Sequence, residues 1–176
     1  MIEVHNETKL EIDSAQFADL AKFLYKKLKI NDRAILNLIF VGERHIEKLH
    51  IEYLNLPGPT DVMSFPVDEL TPGTKRPSTT VSSDEPAVLG DIFICPSYVK
   101  RKNTQKDFDL NHKYMLLLTH GVLHLLGYDH HEPELKQEMF ELQKELLLGY
   151  FETQENIDLE LMDTCIDNYV EEVENE

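Results

Sequence analysis

The sequence predicts an α+β structure: a mixed sheet of about four strands with helices packed on it. Three observations lead there. Four apolar runs of strand length occur, near residues 2–5, 34–41, 62–66 and 88–95. The segments before, between and after them repeat their apolar residues every three to four positions, the helical period. No internal repeat breaks this alternation, and 176 residues at 41% hydrophobic content suffice for one sizeable core.

Taken in order, Ile2-Glu3-Val4-His5 alternates as a short strand. Asp13 or Ser14 caps a helix carrying Phe17, Leu20, Ala21, Leu24 and Leu28 on one face. Residues 34–41 read as a buried central strand ended by Gly42. A second helix follows from Glu43 to Asn55, stopped by Leu56-Pro57-Gly58-Pro59. Val62 to Pro66 is a third strand. Residues 68–87 hold three prolines, one glycine and seven Ser/Thr without apolar period, the pattern of a mobile, protease-sensitive insertion. Val88 to Cys95 is a fourth strand, and Pro96 opens a short helix. A long apolar helix runs from Leu110 to Leu126 and stops at Gly127. The next begins at Pro133 with Leu135, Met139, Leu142 and Leu146 on one face.

Net charge narrows the functions available. Seventeen basic against 33 acidic side chains give −16, which argues against a protein that coats nucleic acid through bulk positive charge. Residues 151–176 hold ten of those acidic groups and no Lys or Arg, leaving −6 for the first 150 residues. Division into a domain of residues 1–150 and an acidic tail of 151–176 follows. In the tail Ile157, Leu161, Cys165 and Tyr169 allow a partial helix; its plainest role is solubility, and a sharper one is competition by charge mimicry with a polyanion for the basic run 100–106. Removing residues 153–176 is expected to leave the fold intact. Two cysteines are too few for a disulfide scaffold. No apolar stretch is long enough to span a membrane and no secretory signal opens the chain, so a cytoplasmic location is expected.

The chemistry concentrates in residues 120–130. His120 and His124, at i and i+4 of one helix, project from the same face. Gly127 lets the chain turn back, so that His130 returns as a third ligand. Three neutral imidazoles with one position left open form a catalytic zinc arrangement, about one ion per chain. His131 is expected to face solvent. Zinc proteases of this spacing place Glu directly after the first His, as general base; here that position is Gly121, which disfavours a metallopeptidase. Asp129 is the nearest acidic group for proton transfer, although a turn-holding carboxylate is the plainer account of it.

The run His120-Gly121-Val122-Leu123-His124-Leu125-Leu126-Gly127-Tyr128-Asp129-His130 resembles the zinc motif of the YbeY family of bacterial endoribonucleases. Pro59-Thr60-Asp61-Val62-Met63-Ser64-Phe65-Pro66 resembles that family's P-T-D-V-L-S-F-P strand, and Leu89-Gly90-Asp91-Ile92 its L-G-D-I strand start. The likeness spans about residues 2–150. It implies zinc on His120, His124 and His130, hydrolysis of single-stranded RNA, maturation of the 3′ end of small-subunit ribosomal RNA, ribosome quality control, and the ribosome and its assembly factors as partners. A noncatalytic, metal-stabilised assembly factor is the alternative. Many members carry an arginine near the position of Leu54, whereas no Lys or Arg occurs here from Leu49 through Thr74. Substitutes for phosphate binding are Lys100, Arg101 and Lys102, with Lys106, or else Arg44 and Lys48; solvated helix charge is the plainer account of Arg44 and Lys48 and stands level with phosphate binding for the 100–106 run. His50 and Asp61 are further polar groups with either a site role or a turn role.

Overall fold

The computed structural model describes residues 1–67, 88–106 and 108–174; the 68–87 insertion lies outside the described residues. Ile2–Asn6 (β1), Ile35–Phe40 (β2), Val62–Pro66 (β3) and Val88–Ile94 (β4) form one sheet in the order β1-β2-β4-β3. β1 and β4 both run parallel to β2, whereas β3 pairs antiparallel with β4 at the edge, so the sheet is mixed. Six helices accompany it among the described residues: α1 (Ser14–Lys27), α2 (Glu43–Leu54), α3 (Pro96–Lys102), α4 (Leu110–Leu125), α5 (Pro133–Phe151) and α6 (Leu159–Glu174).

Alternation along the strands divides the core between the two faces of the sheet. Leu36, Leu38 and Phe40 of β2, with Ile92 and Ile94 of β4, join the large cluster built with α1, α4 and α5. On the other face Ile39 and Phe93 pack with Val41, Ile46 of α2, Met63 and Cys95. α4 is the hub. Met115 to Leu118, Val122, Leu123 and Leu125 are all buried, and few of its surfaces meet water.

Local signals set the helix ends. Asp13, not Ser14, caps α1, its carboxylate accepting the Ala15 N–H at 3.0 Å. Asp109 caps α4 in the same way through Asn111 at 2.7 Å. α5 starts at Pro133 as predicted, but its buried stripe is Met139, Phe140, Gln143, Leu146 and Leu147, while Leu135 is left 40% exposed.

The expectation that the C-terminal residues can be removed without cost needs correction. Met162, Cys165, Ile166 and Tyr169 of α6 are all buried and belong to the main cluster. Charge secures the same helix at two points. Lys144 of α5 lies 2.8 Å from both Asp163 and Asp167. Lys113 of α4, itself buried, lies 2.8 Å from Glu172. The acidic count of this segment hid an amphipathic helix, whose apolar face meets α5 while its carboxylates meet lysines of α4 and α5.

Candidate metal centre

The last two turns of α4 and the loop after it bring the three predicted histidines together. α4 ends in a paired cap: Gly127, at φ +89°, donates to the His124 carbonyl at 2.9 Å, and Tyr128 donates to the Leu123 carbonyl at 3.0 Å. A left-handed residue is required there, and glycine adopts it without steric cost. The reversal carries His130 back beside the helix. One ligand atom from each of His120, His124 and His130 lies within 4.8 Å of the other two, a cluster able to hold a metal ion.

Hydrogen bonds aim the rings. His120 Nδ1 lies 2.9 Å from Gln143 Oε1, and His124 Nδ1 lies 2.9 Å from the Tyr128 carbonyl oxygen. Each acceptor keeps the proton on Nδ1 and frees the Nε2 lone pair; the two Nε2 atoms converge to 3.0 Å. Burial pushes the His120 pKa down to about 3, with His124 adding to the effect, and burial likewise lowers His124 to about 4 with help from His130. His130 is lowered mainly by burial as well. All three imidazoles are therefore neutral at pH 7, the form that binds a metal. This donor set fits zinc: nitrogen ligands only, preset tautomers and a part-apolar surround.

Gly121 has a structural reason as well as a chemical consequence. A Cβ built on it would sit 2.8 Å from Ile92 Cδ1 and 3.0 Å from Ser64 Oγ, because this face of α4 lies directly on the sheet. Any side chain at position 121 therefore presses on Ile92 and Ser64. Packing disfavours the protease general base there.

The histidines open onto a cleft of about 830 Å³ between the end of α4, β3 and α6. Asp61, Ser64, Asp129 and Tyr169 line it, as do Tyr53 and Leu54 from the end of α2. Asp129 accepts the His130 N–H at 2.7 Å and lies 3.5 Å from His131, so it holds the turn and faces a ring that is itself 81% exposed. Asp61 accepts the Val62 N–H at 2.7 Å, and His50 holds the Gly58 carbonyl at 2.8 Å, both turn-fixing contacts. A second groove of about 850 Å³ between α5 and α6 shares His130 and His131 with the cleft.

The basic candidates stand apart from the histidines. Lys100, Arg101 and Lys102 form the last turn of α3, and none lines the cleft. Arg101 is paired with Glu43 at 3.1 Å and lies over the Tyr98 ring at 5.1 Å. Lys102 lines a small adjoining pocket that shares Asp61 and Tyr169 with the cleft. Arg44 and Lys48 are exposed on α2. Leu54, at the position of the expected arginine, does face the cleft.

Two contributors escaped sequence reading. Gln143 is fully buried and orients His120; its signal was a polar residue on an otherwise apolar helix stripe. Tyr169 packs its ring edge-to-face with His120 at 5.8 Å, from a segment whose acidity suggested a solvated tail.

Fold and site together define a class: an α+β domain whose central helix ends in a three-histidine site able to hold a metal ion. The chain belongs to the YbeY endoribonuclease family, whose profile, described as Endoribonuclease YbeY, matches residues 2–150. A relative from Pseudarthrobacter chlorophenolicus, named Endoribonuclease YbeY, is 47% identical over 150 residues, spanning 85% of this chain and 92% of its own. One of the same name from Corynebacterium jeikeium is 44% identical over 155 residues, 88% of this chain and 84% of its own. The fold is similar to a Thermotoga maritima protein solved in solution, at TM-score 0.56 and 28% identity, covering 86% of this chain and 89% of that one. α6 lies beyond the residues that match the family profile.

Proposed function

We propose that this protein is a zinc-dependent endoribonuclease that cuts single-stranded RNA, with His120, His124 and His130 as the metal ligands. The convergence of two tautomer-fixed Nε2 atoms at 3.0 Å beside His130 carries the reading. Bound there, zinc supplies Lewis acidity to a phosphoryl oxygen and acidifies water. The chain's own part is to hold that site. Gln143 and the Tyr128 carbonyl fix ring orientation, Asp129 fixes the turn that returns His130, and Phe140 and Tyr169 wall the site against solvent. Asp129 is also the carboxylate we assign to proton transfer, because it lines the cleft beside the histidines. Lys100 and Lys102 are assigned to phosphates farther along the strand, Arg101 being engaged by Glu43.

The setting we propose is maturation of the small-subunit ribosomal RNA 3′ end and ribosome quality control in the cytoplasm, beside the ribosome and its assembly factors. Family membership supports it. Peptide hydrolysis is disfavoured, since an amide needs a base for water and an acid for a poor leaving group, and position 121 offers neither. The test incubates wild type and His120→Ala with single-stranded RNA and with a peptide, each with and without chelator. Chelator-sensitive RNA cleavage by wild type alone is expected. Equal RNA loss from both proteins, or zinc-dependent peptide cleavage, would sink the proposal.

A further inference from the structure

The end of α2 is unusual in what it exposes. Ile51 (49%), Tyr53 (59%), Leu54 (57%) and Leu56 (50%) lie within six residues, and all are large apolar side chains open to solvent. A patch of this kind marks a binding surface more often than chance exposure. Its position is fixed: α2 ends at Leu54, Asn55 takes a left-handed conformation at φ +55°, and the His50–Gly58 contact holds the following turn. Tyr53 is further held by Phe65 of β3, edge-to-face at 4.7 Å, and Phe65 by Phe93 at 5.6 Å.

Tyr53, Leu54 and Phe65 line the same cleft as the three histidines, within reach of a strand bound there. No Lys or Arg lines that cleft among the described residues. A single strand offers two handles, its phosphates and its bases. Among the described residues the cleft lining offers the phosphates no Lys or Arg, while the base handle meets a fixed, exposed aromatic ring. Stacking on such rings accepts any base, because every base has a π-face.

Building on the proposed nuclease activity, we infer that Tyr53, braced by Phe65, is a base-stacking platform that positions single-stranded RNA at the histidine site. Tyr53 is then a substrate-positioning residue, and the strand is gripped by its bases where it enters the cleft. Its action falls on substrate binding, not on the metal.

The test uses the full chain and a short single-stranded oligoribonucleotide carrying 2-aminopurine, whose fluorescence falls on stacking, at each position in turn. Wild type should quench one position selectively. Tyr53→Ala should abolish that quench and weaken binding about 5- to 150-fold, the range for loss of one stacked base. KM for cleavage should rise by a similar factor while kcat and zinc content hold. Tyr53→Trp should restore quench and KM, which a merely structural role for the hydroxyl-bearing ring would not predict. Wild-type binding should also depend only moderately on salt, with a log–log slope no steeper than about −2, corresponding to two or three phosphate contacts. Absence of a selective quench, or a Tyr53→Ala protein that binds and cleaves like wild type, overturns the inference and leaves the patch to a protein partner. RNA that is bound and quenched but never cut refutes the nuclease reading alone.

Discussion

Replacing Glu172 by Ala tests how firmly α6 is part of the fold. Lys113 Nζ sits 2.8 Å from Glu172 Oε2, with the lysine side chain only 5% exposed and the glutamate 35%. The same carboxylate accepts from Thr104 Oγ1 and Gln105 Nε2, each at 3.3 Å, tying α6 to the loop after α3 as well as to α4. Breaking one side of a fully buried ion pair costs about 3–5 kcal/mol, because an unpaired charge remains. Glu172 is one-third exposed, so water relieves part of that cost, and the Tyr169 ring, 4.9 Å from Nζ, still faces the ammonium. A loss of about 2 kcal/mol is expected. Lys113→Met combined with Glu172→Ala should recover much of it, since the stranded charge is then gone; the two changes should couple by about 1–2 kcal/mol. The chain has no tryptophan, so urea unfolding is followed by the helical circular-dichroism signal. A Glu172→Ala protein within about 0.5 kcal/mol of wild type, or strictly additive variants, would refute the view that this pair fastens the helix.

Truncation before α6 should lower the midpoint of thermal unfolding markedly, because Ile166, Met162 and Tyr169 leave a core in which they are buried; an unchanged midpoint would return the segment to the status of a tail. Wild type should carry about one zinc per chain and His124→Ala should lose it, as read by metal analysis after dialysis. Gly121→Glu should cost at least about 2 kcal/mol without creating peptidase activity, since even a Cβ there meets Ile92 and Ser64; a stable variant would contradict the packing argument. In metal-free protein, His120 and His124 bind protons more weakly when folded than when unfolded, so the unfolded state gains protons as pH falls below about 6.5. Their contribution is therefore complete above that pH and drains away down to about 4 and then 3, at up to about 1.4 kcal/mol per pH unit for each ring; denaturation midpoints flat across pH 7 to 4.5 would count against it.

Local chemistry explains what the sequence made legible. The three histidines, the turn at Gly127 and the helix ends at Asp13 and Pro133 depend on contacts within a few residues, and each was readable from spacing and residue type. Long-range pairings were not. That Gln143 orients His120 depends on α5 crossing α4, although a polar side chain on an apolar stripe was a visible hint. α6 was obscured because its ten-acid segment was weighed by composition, while the period of Met162, Cys165, Ile166 and Tyr169 decided its burial. The basic run at 100–102 is near α4 in sequence, which leaves open whether it faces the histidines. In space α3 directs Arg101 to Glu43 instead.

Gly121 joins these two levels most closely. From sequence it was an absence, a missing carboxylate that set the chain apart from proteases of similar spacing. In the fold it is a contact requirement: α4 must lie close on β3 and β4 for its last turn to present His120 and His124 to the cleft, and Gly90 on β4 shows the same crowding, a Cβ there falling 2.7 Å from Leu125 Cδ2. A larger residue at 121 would press on Ile92 and Ser64, the side chains on which this part of the helix rests. The close approach that positions the metal site therefore also removes the side chain that amide hydrolysis would need, leaving a site better suited to a reaction governed by charge neutralisation and placement of the strand.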